Sequence, residues 1–260
     1  MIKEIMPVIF IGHGSPMNAL YDNGYTSDLK KLAGRMPKPD AVLVISAHWL
    51  TKGTWITSGR NPEQIYDFYG FPEELYKIKY QPPGSPDVAA MVSGSVHGVS
   101  ITPDQDRGID HAAWAVLKHI YPGADIPVIE MSIDMNINPG RHYNIGKSLS
   151  GLREKGLLII GSGNIVHNLA VMDYYEGVAP QAWAVEFDEN VKKCLVDNDH
   201  EGILQYEKWG KISKYAVPTD EHYTPMLYIA ALRQDGENLE FIHEAIHHGT
   251  ISMRSFIIGG

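Results

Sequence analysis

One cysteine, Cys194, stands in a chain of 260 residues. That scarcity excludes an internal disulfide and a cysteine-ligated zinc module, and it fits a reducing compartment, so the cytoplasm is the expected location. Cations are also in short supply. Lys and Arg total 22 against 31 Asp and Glu, a formal charge of -9, and no basic cluster is available to follow a phosphate backbone. Nucleic acid is therefore not an expected partner. Long hydrophobic runs are missing as well: "MIKEIMPVIFIGHG" has too short an apolar stretch for a signal peptide, and nothing later reaches the roughly 18 residues of a membrane span. Two catalytic signatures are lacking too. No G-x-S-x-G occurs, and "GSGN" (161–164) has neither the glycine spacing of a dinucleotide fingerprint nor the lysine of a P-loop.

What is present suits a globular enzyme. Hydrophobic residues make up 44% and charged residues 20% of the chain, which is enough apolar surface to build one sizeable core. Short apolar runs, hydrophobic at successive positions, predict buried strands at "MPVIFIG" (6–12), "AVLVISA" (41–47), "IPVIEMSI" (126–133), "GLLIIGSG" (156–163) and "SFIIGG" (255–260). Helical spacing appears at 23–36, 143–156 and 181–209, and a helix ended by Gly236 is expected within 220–236. The segment "IHEAIHHG" reads as a solvated helix end, although His243 and His247 stand at i, i+4. Residues 60–110, rich in Pro, Gly and Tyr, read as long loops of the kind that carry function. With no repeat and no Gly/Ser linker, the expected fold is α/β: a single domain over 1–260 with a central, largely parallel mixed sheet flanked by helices and elaborated by long active-site loops.

Twelve histidines are spread through the chain, and position singles some of them out. In open α/β sheets ligands gather beyond the carboxyl ends of the strands. His13 follows "PVIFIG", His48 follows "VLVISA", and His167 lies just beyond "LLIIGSG". His222 in "DEHYTP" is expected in a loop at a helix start, and His111 in "GIDHAAW" near a helix N-terminus. Imidazole suits zinc, copper, nickel and iron, so a nitrogen-rich metal centre is implied. Gly12 and Gly14 would let backbone approach a ligand closely.

The ordered motifs "GHGSPMNAL" (12–20), "ISAHW" (45–49), "YDFYGFPEELYKIKYQPPGSP" (66–86), "GIDHAAW" (108–114), "GSGNIVHNL" (161–169) and "HYTPMLY" (222–228) run nearly end to end. Through them the chain resembles the class III extradiol ring-cleaving dioxygenases of the LigB superfamily, in the DOPA 4,5-dioxygenase branch. The resemblance implies a non-haem Fe(II) enzyme that inserts both atoms of O2 into a catechol, with 4,5-cleavage of a DOPA-like ring to a ring-opened semialdehyde. It implies metal ligands at His13, His48 and His222, the last standing where some relatives have a glutamate. It implies His167 as the acid/base, close enough to be a resting-state ligand, and His111 facing oxygen or substrate. Replacing a carboxylate by imidazole leaves such a site more positive and ready to accept Zn(II). Tyr66, Phe68, Phe71 and Tyr80 are expected as aromatic walls of the substrate pocket. A zinc hydrolase on the same histidines and a non-catalytic metal-binding relative are the competing readings.

Overall fold

A computed structural model of the chain describes residues 4–175 and 177–259; residues 1–3 of the N-terminal segment and Gly260 of the expected last strand lie outside the described residues. The strands are β1 (Val8–Gly12), β2 (Ala41–Thr51), β3 (Thr54–Thr57), β4 (Ile101–Asp104), β5 (Val128–Asp134), β6 (Leu157–Gly163), β7 (Leu239–His243), β8 (Ile246–His247), β9 (Ile251–Ser252) and β10 (Ser255–Ile258). The helices are α1 (Gly24–Leu32), α2 (Glu73–Tyr76), α3 (Pro86–Ser95), α4 (His111–Ile120), α5 (Pro139–Ser148), α6 (Ala182–Val196), α7 (His200–Leu204), α8 (Lys211–Ala216) and α9 (Thr224–Ala230).

Eight strands form one sheet in the order β4-β3-β5-β2-β6-β1-β10-β7. Its centre, β5-β2-β6-β1, is parallel; β10 and β7 continue it antiparallel on one side, and β3 joins β5 antiparallel on the other. The central strands are apolar on both faces because both are covered. Val8, Phe10, Leu43, Ile45 and Ile159 point to the layer holding α5, α6 and α9, while Ile9, Ile11, Val42, Val44 and Ile160 meet α1 and α4. No helix of the described residues is long and apolar enough to cross a membrane.

Three local expectations are corrected. "IHEAIHHG" is not a helix end: its first residues belong to β7, which pairs with β10, and Ile246 and His247 form β8 against β9. The apparent i, i+4 pair is thus a by-product of extended chain whose hydrogen bonds go to distant strands. The helix within 220–236 stops at Ala230, and Gly236, at φ 83°, serves a later turn. The stretch 60–110 holds α2, α3 and the edge strand β4 in addition to loops, with the Pro86 ring at the first turn of α3, where a missing N–H costs nothing.

Candidate metal centre

His13 is the first residue past β1, at the carboxyl edge of the parallel sheet, and its amide donates to the Gly163 carbonyl at 3.0 Å. The glycines around it have a different role from the expected one. A Cβ on Gly12 would lie 2.7 Å from the Met253 carbonyl carbon, and one on Gly14, at φ 60°, would strike the Met253 side chain. They make room for the returning chain between β9 and β10 rather than for a ligand. His48 lies inside β2 rather than after it: the ladder to β5 breaks between Ile45 and Leu50, and this bulge re-aims the side chain into the site. His111 opens α4, whose Asp110 cap accepts from the Ala112 amide. His222 precedes α9, with its carbonyl accepting from the Asn164 amide at 2.8 Å.

The fold brings all five histidines together. His13 Nε2 lies 3.1 Å from His48 Nε2, and ligand atoms of His13, His48 and His222 fall within 4.8 Å of one another. The His167 ring is stacked on His222 at 3.5 Å and 10°, and the His111 ring sits 4.1 Å from that of His48.

The outer nitrogens decide what the inner ones can do. Ser162 Oγ donates to the Ala112 carbonyl at 2.7 Å, so it accepts from His13 Nδ1 at 3.0 Å. Asp67 takes His48 Nδ1 at 3.1 Å, and Glu221 takes His222 Nδ1 at 3.2 Å. Each ring therefore spends its N–H outward and turns an Nε2 lone pair inward. The buried His222 Nε2 has no hydrogen-bond partner among the described residues. Three converging lone pairs repel unless a cation sits between them, and outward anchoring by carboxylate or hydroxyl is the usual support of a metal-bound imidazole. The residues present thus fit a divalent metal held by His13, His48 and His222.

Electrostatics agree. Burial, followed by the neighbouring imidazoles, pushes His13 and His222 well below the ordinary histidine pKa. Burial and His222 lower His167 to about 2. Burial and the His48 charge also lower His111, against the opposing pull of Asp67. At His48 burial is outweighed by the Asp67 hydrogen bond and by Asp110, so its pKa rises. Partial shielding of the Asp67 side chain opposes its ionisation, yet the hydrogen bonds from His111 and His48 hold it below the usual carboxylate range. A largely neutral donor set flanked by anions is what a divalent cation requires.

The family model described as the catalytic LigB subunit of aromatic ring-opening dioxygenase matches residues 7–258. The chain belongs to that family. A protein of Escherichia coli K12 named 4,5-DOPA dioxygenase extradiol is 39% identical, over 100% of this chain and 99% of that protein. One of the same name from Beta vulgaris is 35% identical, over 97% and 96%. The crystal structure of an uncharacterized E. coli K12 protein superposes with a TM-score of 0.86 at 36% identity, covering 98% of this chain and all of that one.

Not all the expected aromatic walls face the histidines of this LigB site. Phe68 does, with its ring 5.5 Å from that of His111, and Phe71 backs it at 5.3 Å. Tyr66 is held by its own loop, donating to the Ile78 carbonyl at 2.7 Å and packing against Trp114. Tyr80 does not belong to the wall. It is 4% exposed and donates to the Tyr121 carbonyl at 3.0 Å, just past the end of α4 opposite His111. Asp67 and Glu221 draw no notice in the sequence, and Ser162 in "GSGN" reads there only as a turn residue. Glu221 is adjacent to His222 and could have been found as a carboxylate beside a candidate ligand; the other two are recognisable only through contacts distant in sequence.

Proposed function

We propose that the protein is a non-haem Fe(II) extradiol dioxygenase that opens a catechol of the DOPA type at its 4,5 bond. The observation that carries the reading is the convergence of three Nε2 lone pairs from His13, His48 and His222, with His167 and His111 flanking them. The names of the E. coli and Beta vulgaris relatives support the substrate class.

Iron(II), when bound, supplies the chelation site and the electron relay that spin-paired catechol and triplet O2 need in order to react. The chain's own residues do the rest. His167, stacked on His222 beside the site, takes the proton of a catechol hydroxyl and returns it as the ring opens. His111 donates Nδ1–H to Asp67 at 2.8 Å and turns its Nε2 lone pair toward the site, where it accepts a proton. Phe68 offers an apolar edge for the aromatic ring and limits water beside His111. Both oxygen atoms end in the product, one in a carboxylate and one in an aldehyde, so no outside reductant is consumed.

Three imidazoles also accept zinc readily, so zinc in a purified sample does not count against iron. Anaerobic loading with iron(II), followed by oxygen and a catechol panel that includes DOPA, should consume O2 and raise a yellow visible band. No oxygen uptake with any catechol overturns the proposal, and hydrolysis by the zinc-loaded protein without oxygen demand would favour a hydrolase.

A further inference from the structure

Asp67 belongs to the loop that also carries Phe68, yet three donors from two other elements meet on its carboxylate. Oδ1 accepts from the His111 backbone amide at 3.0 Å. Oδ2 accepts from His111 Nδ1 at 2.8 Å and from His48 Nδ1 at 3.1 Å. Its side chain is 16% exposed, so water competes little for these bonds. We infer that Asp67 is a positioning residue that fixes the tautomers of His48 and His111 together, linking the substrate-side loop to the metal ligand and to the flanking imidazole.

Donor counting decides the tautomers. An ionised carboxylate only accepts, so both imidazoles must present Nδ1–H to it and leave Nε2 as a lone pair. For His48 that lone pair is the one directed at His13 Nε2, 3.1 Å away. For His111 it makes the ring a proton acceptor toward the site. A second tie runs through the backbone: Ser46 Oγ accepts from the His48 amide at 3.1 Å and donates to the Asp110 carboxylate at 2.8 Å. This tie fixes where the two rings start but leaves their tautomers undetermined. An amide in place of Asp67 fails whichever way it turns. With its oxygen toward the rings, its NH2 faces the His111 amide; with its NH2 toward the rings, it forces at least one ring to move its proton to Nε2. A His48 carrying Nε2–H cannot ligate through that nitrogen.

This inference rests on the reading of His48 as a metal ligand, and its test does not depend on turnover. In 15N-histidine-labelled full-length protein, long-range 1H–15N spectra should show Nδ1–H tautomers at His48 and His111. Asp67→Asn should convert at least one of them, leave His13 unchanged, and weaken zinc binding by about 10- to 100-fold. Asp67→Glu should restore the tautomers and most of the affinity. An Nε2–H tautomer at either ring of the unaltered protein overturns the inference without any variant. So does an Asp67→Asn protein with unchanged tautomers and zinc affinity. If the tautomers are as expected but the unaltered protein binds no zinc, the positioning role stands and the reading as a metal centre falls.

Discussion

Ser162 Oγ has one proton and spends it on the Ala112 carbonyl at 2.7 Å, which leaves only a lone pair for His13 Nδ1 at 3.0 Å. A hydroxyl that reads in the sequence as a turn serine thereby fixes the tautomer of the first proposed metal ligand. Ser162→Ala should lower metal affinity about 10- to 100-fold. Leaving a buried N–H unpaired should also cost about 1–3 kcal/mol of stability. Zinc titration and urea unfolding of the same sample measure the two effects. Unchanged affinity would show that His13 keeps its orientation without this hydroxyl.

The five histidines divide by what their Nε2 atoms face. His13→Ala, His48→Ala and His222→Ala each remove one of the converging lone pairs and should yield protein without stoichiometric metal. His167→Ala and His111→Ala should retain metal while turnover falls by about 100-fold or more, the scale of a lost proton-transfer group. Metal analysis beside oxygen-electrode rates separates the classes. A His167 variant that lost its metal would make that residue a ligand.

A buried histidine outside the site reports on stability. His142, on α5, meets the Tyr228 hydroxyl at 2.9 Å, and burial lowers its pKa to about 4. Because the folded value lies below the unfolded one of about 6.5, the unfolded chain takes up the proton first as pH falls. The contribution is complete above about pH 6.5 and is lost on the way down to about pH 4, up to about 3 kcal/mol. Urea unfolding of the protein and of His142→Asn across this window should give a smaller slope with pH for the variant. Equal slopes would place the titration elsewhere.

Arg254 holds the chain that packs beneath Gly12. Its guanidinium, 3% exposed, pairs with Asp188 at 2.5 Å, with Glu189 at 2.5 Å and with Glu244, while Ser252 Oγ donates to the other Asp188 oxygen. Burial pushes the Asp188 carboxyl up, and Arg254 opposes that shift. Removing one partner strands the other, so Arg254→Met should cost about 3–5 kcal/mol. Asp188→Leu in the same chain should recover most of it, because the stranded carboxylate goes too. A double variant no more stable than the single one would argue that the pair is not what holds this segment.

The legible parts of the fold were those whose cause is local. β1, β5 and β6 announce themselves because strands covered on both faces need continuous apolar residues, and His13 and His167 stand out because they follow such runs. β3, with four residues, and β7 were hidden because what makes them strands is pairing with β5 and β10. The site divides the same way. Its proposed ligands are histidines, which stand out by their positions, but Asp67 reaches His111 across 44 positions and Ser162 reaches His13 across 149. An aspartate in an aromatic loop and a serine between glycines carry no mark of these partners until the chain is folded.

Gly163 offers the sharpest test of how His222, the third proposed ligand, is placed. It pairs with Gly12 across β1 and β6, and a Cβ built on it would lie 2.1 Å from the His222 carbonyl oxygen, the atom that accepts from the Asn164 amide. No side chain larger than hydrogen fits there while His222 stays in place, and the obstacle is backbone, which cannot swing aside as a side chain can. Gly163→Ala should therefore push the segment before α9 outward and separate His222 from His13 and His48. The expected result is metal binding weakened at least as much as in Ser162→Ala, with a strained fold that loses about 1–3 kcal/mol, the scale of overpacking. Glycine-to-alanine exchange at Gly151, where a Cβ meets nothing within 4 Å, is the control for the substitution itself. Retained metal affinity in the Gly163 variant would mean that the loop bearing His222 adjusts freely and that its position is set by the metal rather than by the sheet edge.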